Sequence, residues 1–283
     1  MDLAGYRRRR IVDIAVRGAC VAATLVAVVP LVLILGYIVV KGGAALSPAF
    51  FLELPKPAGE AGAGMANAIL GTLTLVGLAC AFGVPLGIFA GIYLAEFGDN
   101  WLGTVIRFCS DVMAGVPSIV SGLFVYALVV VPMGRNSAIA GGLALAMLML
   151  PTVTRTTEEL LKLVPNALRE AALALGVPEW RTTLWVVLRT AAPGIATGVV
   201  LAVARVTGET APLLFTSLNN NGWADGIDQP TASLTVQIYQ YAGSPFEDQQ
   251  AQAWAAALVL VAVVLVLNIS ARILVRHRVA GAR

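Results

Sequence analysis

Residues 165–189 read PNALREAALALGVPEWRTTLWVVLR. From Asn166 to Leu175 the run is built of strong helix formers. Ala167, Leu168, Ala171, Ala172 and Leu175 share one face at helical spacing, while Asn166, Arg169 and Glu170 share another. Gly176 stands where a helix end favours a left-handed residue, and Pro178 forbids continuation. A second helix starts with Glu179, Trp180 and Arg181 and runs into apolar sequence from Leu184. The first helix, about 15 Å long at 1.5 Å per residue, is too short to cross a bilayer. The stretch predicts a short amphipathic helix, a sharp turn and an entry into the membrane. Its apolar face is mostly alanine, which anchors poorly in lipid and suits a groove in another protein. An interfacial helix without a partner is the other reading.

Outward from this elbow the chain is dominated by long apolar runs. Of its 283 residues 58% are hydrophobic and only 12% charged, against roughly 25% charged in soluble domains. The mean hydropathy is +0.84, which excludes both a water-soluble core and disorder. A hydrocarbon layer about 30 Å thick needs about 20 apolar residues in helix. Six runs qualify, at about 19–40, 67–95, 112–131, 137–153, 184–215 and 251–275. Continuous runs predict helices rather than the alternating strands of a barrel. The expected fold is all-α and polytopic, with a 1–18 arm, a first span at 19–40, a five-helix unit at 67–275 and a 276–283 tail. The run after Arg7 to Arg10 is too long for a secretory signal and reads as an uncleaved anchor.

The basic residues set an orientation. Segments before the first span, between the second and third, between the fourth and fifth, and after the sixth hold 15 of the 19 Lys and Arg residues. The opposite side has Lys41, Lys56 and Arg135, and the 216–250 loop has none. Both termini are therefore expected in the cytoplasm.

Cys20, Cys80 and Cys109 are scattered and read as small apolar side chains. No group of His, Cys, Asp and Glu has metal-ligand spacing, and no Ser/His pair suggests a nucleophile. Gly83, Gly87 and Gly91 repeat every four residues, as do Gly194 and Gly198, so close helix packing is expected at these positions. Pro85, Pro117, Pro151, Pro193 and Pro212 fall inside or at the ends of spans, either as plain kinks or as breaks beside a substrate path.

Glu170-Ala171-Ala172 followed by Gly176 resembles the EAA loop of bacterial ABC importer permeases of type I. Arg189 stands where that family's pattern has a proline, with Pro193 four residues on. Gly115-Val116-Pro117-Ser118, Arg155-Thr156-Thr157-Glu158-Glu159 and Gly208-Glu209-Thr210-Ala211-Pro212 are similar to the permeases of phosphate importers within it. The resemblance implies a coupling helix at about 165–180, with Arg169, Glu170, Ala171, Ala172, Leu175 and Gly176 meeting an ATPase. It implies a second, PstC-like permease, a PstB-like ATPase dimer, an external PstS-like phosphate-binding protein, and location in the plasma (cell inner) membrane. Other oxyanions such as molybdate or sulfate, and an ion-coupled secondary transporter, are the alternatives.

Active transport needs an energy source. Lys41, Lys56 and Lys162 are followed by Gly, Pro and Leu, so no phosphate-binding P-loop is present. ATP and Mg are expected in the partner ATPase, with no cofactor, metal, catalytic residue or nucleic acid on this chain. Arg205 and Glu209 lie in the outer part of the fifth run, where unpaired charge is costly. Their spacing puts them on one helix face. They read either as a translocation pathway offering a guanidinium to an anion, or as a pair locking the span to a neighbour. Arg155 with Glu159, and Glu158 with Lys162, read as rigidifying pairs, and Asp111 as a cap of the third span. The 216–250 loop reads either as a docking surface for a solute-binding protein or as packing over the bundle.

Overall fold

A computed structural model describes residues 3–60 and 62–280. All regular structure in them is helical. The first helix, α1 (Leu3–Ala45), is continuous for 43 residues. The separate arm expected at 1–18 is thus helical from Leu3 onward, an extension of the first span; residues 1 and 2 lie outside the described part. A short helix α2 (Pro48–Leu52) follows and buries Phe50.

The centre of the bundle is the pair α3 (Ala66–Phe97) and α7 (Ala138–Lys162). In lipid, helices gain by close approach rather than by apolar burial, so small residues at the seam decide how near they come. A methyl group on Gly87 would stand 2.8 Å from Val153 Cβ, and on Gly91 2.5 Å from Thr157 Cβ. On Gly83 it would stand 3.3 Å from Ala146 Cα and from Met149 Sδ. Leu75, Ala79, Leu145, Met149 and Val153 are buried along this seam.

Between them, α4 (Trp101–Gly115) and α5 (Ser118–Val125) meet at a 111° bend. From α5 the chain continues through a wide π turn, Tyr126–Val130, into α6 (Val131–Met133). The third span expected at 112–131 is therefore not one rod: Val112 to Gly115 belong to α4, which runs in another direction. Pro117 explains this, because it lacks a donor and forces the preceding Val116 into extended backbone at φ −72° and ψ 131°.

After α7 the chain makes α8 (Asn166–Ala174) and α9 (Glu179–Arg181). It then passes through a π stretch, Thr182–Val187, into α10 (Leu188–Thr207). Gly194 meets Leu160 and Gly198 meets Thr156 on α7. The fifth span expected at 184–215 is interrupted: α10 ends at Thr207, and α11 (Ala211–Thr216) begins after Gly208–Thr210, with Pro212 in its first turn. Pro85, Pro151 and Pro193 remain inside unbroken helices, so the breaks fall only at Pro117 and just before Pro212.

The stretch 217–233 is tied to the bundle end by Ala138 N–H to the Gln229 carbonyl at 3.0 Å and Ile139 N–H to the Ile227 carbonyl at 3.0 Å. It delivers α12 (Leu234–Ala242), which buries Leu234, Val236 and Gln237 completely. Thr72 Oγ1 on α3 accepts the Leu234 amide at 2.9 Å. The last helix, α13 (Glu247–Ala280), extends past the expected end of the sixth span into the tail placed at 276–283; residues 281–283 lie outside the described part. It packs on the end of α1, where Gly42 lets the Trp254 carbonyl approach and Tyr37 meets Trp254 edge-on at 4.9 Å. Among the described residues five helices are long and apolar enough to cross a membrane, and the bent α4–α6 unit makes a sixth.

Candidate functional site

Two arrangements carry chemistry: the elbow formed by α8 and α9, and a pocket where the broken third and fifth spans meet. The elbow ends as its residues dictate. Gly176 takes φ +80°, its N–H bonds the Leu173 carbonyl at 2.9 Å, and the Val177 N–H bonds the Ala172 carbonyl at 3.1 Å. This paired closure satisfies carbonyls that a helix end otherwise leaves free. Pro178 then starts α9.

The faces of α8 differ from the sequence-based expectation in two residues. Ala172 is buried. Arg169, expected on the surface offered to an ATPase, turns inward, with its side chain 20% exposed. Its guanidinium bonds Glu96 Oε1 at 2.7 Å, the Leu161 carbonyl at 3.0 Å and Asn166 Oδ1 at 3.1 Å. The reason is electrostatic: α7 ends at Lys162, its last carbonyls carry partial negative charge, and Glu96 at the end of α3 adds a full one. Glu170, Ala171, Leu175 and Gly176 stay exposed, with Leu175 at 85%. Glu96 gives no local signal in sequence, since its partner lies 73 residues away.

The same end of the bundle holds further pairs. Arg107 closes α3 by bonding the Leu94 and Gly98 carbonyls, each at 3.0 Å, and meets Glu158 Oε1 at 2.8 Å. Lys162 also bonds Glu158, at 2.6 Å, as its spacing predicts. Arg155 pairs with Asp111 rather than with Glu159. Asp111 does not cap a helix: it lies within α4, whose cap is Asn100, accepting from the Gly103 N–H at 2.9 Å. These pairs pin the ends of α3, α4 and α7 together.

The pocket has a volume of about 210 Å³. Its walls include Val116, Pro117 and Ser118 at the bend, Leu148, Pro151 and Thr152 on α7, and Arg205 and Glu209. The sequence placed Arg205 and Glu209 on one helix face. In the structure α10 stops between them, with Gly208 at its end, so Glu209 belongs to the break and the two make no ion pair. Thr235 Oγ1 of α12 donates to the Glu209 carbonyl at 3.0 Å and fixes the backbone there. Gly122 of α5 admits the Pro212 backbone, which a methyl group would meet at 2.5 Å. The two breaks are thus held side by side. Ser118 and Thr152 were not singled out as pocket residues from sequence, although each directly follows a proline within an apolar run.

A bundle with two broken spans, an exposed elbow between the fourth and fifth, and charged groups lining a pocket has the fold of a type I ABC importer permease. The chain belongs to the family described as binding-protein-dependent transport system inner membrane component, which matches residues 83–279. It is a multi-pass inner-membrane transport component. It is similar to the phosphate transport system permease protein PstA of Yersinia pestis, 51% identical over 86% of this chain and 83% of that one. The PstA protein of Xylella fastidiosa is 44% identical over 97% of this chain and 96% of that one. A chain of the MetNI methionine ABC transporter in an inward facing conformation superposes with a TM-score of 0.62 at 18% identity, covering 75% of this chain and 96% of that one.

Proposed function

We propose that this chain is the transmembrane permease subunit of an ATP-driven importer that carries inorganic phosphate across the plasma membrane. The observation that carries this reading is the pocket between the two broken spans, where the Arg205 guanidinium has no ion-pair partner among the described residues. A planar, permanently charged fork suits a tetrahedral oxyanion, and the naming of the relatives as phosphate transport permeases agrees.

In this reading the pathway is completed by a PstC-like permease, and a PstS-like binding protein delivers phosphate from outside. The PstB-like ATPase dimer uses ATP and Mg. Both termini and the α8–α9 elbow face the cytoplasm, following the excess of Arg and Lys there. The exposed side of the elbow, with Glu170, Ala171, Leu175 and Gly176, rests in a cleft of the ATPase. Arg169 secures the elbow to the bundle through Glu96 and the Leu161 carbonyl. Closure of the ATPases pushes the elbow, and the α3–α7 pair carries the displacement to the pocket. This chain contributes positioning and a path; the bond breaking belongs to its partner.

Arg205→Ala tests the pathway in the complete complex reconstituted into liposomes. Its assembly with the ATPase is expected to be normal and its labelled-phosphate uptake at least about tenfold lower, the equivalent of about 1.4 kcal/mol. Full uptake by an assembled Arg205→Ala complex removes the pocket from the route.

A further inference from the structure

At the end of the bundle that carries α8, several cations meet acids directly. Arg107 reaches Glu158 and Arg169 reaches Glu96, at 2.8 and 2.7 Å, and Arg155 reaches Asp111. The pocket departs from this habit. Arg205 and Glu209 line one cavity of about 210 Å³, yet among the described residues neither side chain has an ion-pair or hydrogen-bond partner. The hydroxyls of Ser118 and Thr152 on the same walls are equally uncommitted. Arg205 is exposed and Glu209 half-buried on the pocket wall, on either side of the helix end at Gly208, so both remain free to meet a ligand.

A ligand that satisfies both groups must offer acceptor oxygens to the guanidinium and a proton donor to the carboxylate. We propose that Glu209 makes the pocket selective for oxyanions that still carry a proton, by accepting a hydrogen bond from the anion's own hydroxyl. The inference rests on the pathway reading above and deepens it. Phosphate and arsenate retain at least one hydroxyl at neutral pH. Sulfate and molybdate carry none, so they turn only lone pairs toward Glu209. That leaves the carboxylate unpaired beside a second negative charge, which rejects them more strongly than size alone would. An O–H donating to a carboxylate is among the stronger hydrogen bonds, and Ser118 and Thr152 take either role toward the remaining oxygens.

The test is equilibrium binding of labelled phosphate to the purified permease–ATPase complex without binding protein. Only the component absent from an Arg205→Ala complex is counted, which removes phosphate held by the ATPases. Arsenate is expected to displace this component within about threefold of phosphate, while sulfate and molybdate require at least about tenfold more. In Glu209→Gln sulfate is expected to come within about threefold of phosphate, and Glu209→Asp is expected to keep the gap. Equal displacement by sulfate in the unaltered complex overturns the proposal, as does an unchanged gap in an assembled Glu209→Gln. If Arg205→Ala binds as much phosphate as the unaltered complex, the pathway reading itself fails. An Arg205-dependent component with no preference among anions removes the selectivity role alone.

Discussion

Arg169 shows how far a single side chain departs from its local pattern. Helical periodicity puts it beside Glu170 on a polar face. Besides Asn166 on the same helix, its partners are the Leu161 and Val164 carbonyls and Glu96, on segments that periodicity within α8 does not register. With side chains 20% and 14% exposed, Arg169 and Glu96 form a largely buried pair. Removing one member leaves the other uncompensated, a loss on the order of 3 kcal/mol. Arg169→Ala is therefore expected to lower the thermal midpoint of the purified complex and to weaken ATPase retention. The double variant Glu96→Ala/Arg169→Ala should recover part of that loss, and strict additivity would show that the contact is not energetic. Glu209 gives the same lesson at the pocket: its register beside Arg205 was legible, but the interruption of the helix at Gly208 was not. Glycine alone does not announce a helix end within an apolar run.

Among the elements, the α3–α7 seam was the most legible, because small residues at fixed spacing are the local signature of close helix approach. Gly91 stands against Thr157 and the Thr154 carbonyl, the latter 2.8 Å from where a methyl would lie. Gly91→Val is expected to cost about 1–3 kcal/mol through overpacking, read as a lower thermal midpoint. Gly77→Ala on the same helix, where the space is open, is expected to leave it unchanged. An equal effect of both variants would deny that the seam depends on close approach. The elbow was equally readable, since Gly176 and Pro178 fix its turn within a few residues. The 111° bend was not, because Pro117 and Pro151 look alike in sequence, and only the first breaks a helix. What separates them is tertiary. At Pro117 the chain turns so that α5 packs on α11, whereas Pro151 is buried within α7.

For the whole molecule, the number of apolar runs follows from composition, while the docking of α12 into the bundle does not. Its 217–233 lead-in is polar and irregular, and it is held by backbone bonds to residues about 90 positions away. The orientation proposed from the Lys and Arg distribution predicts that Asp225→Cys, in that lead-in, is labelled by a membrane-impermeant thiol reagent added outside intact cells. Labelling only after the inner face is opened would invert the topology. In the proposed function this chain is a path worked by a separate motor. Labelled-phosphate accumulation in liposomes bearing defined sets of subunits tests that most directly. Uptake is predicted only when both permeases, the ATPase, ATP with Mg, and the binding protein are all present. Accumulation against a gradient by this chain without the ATPase would contradict it.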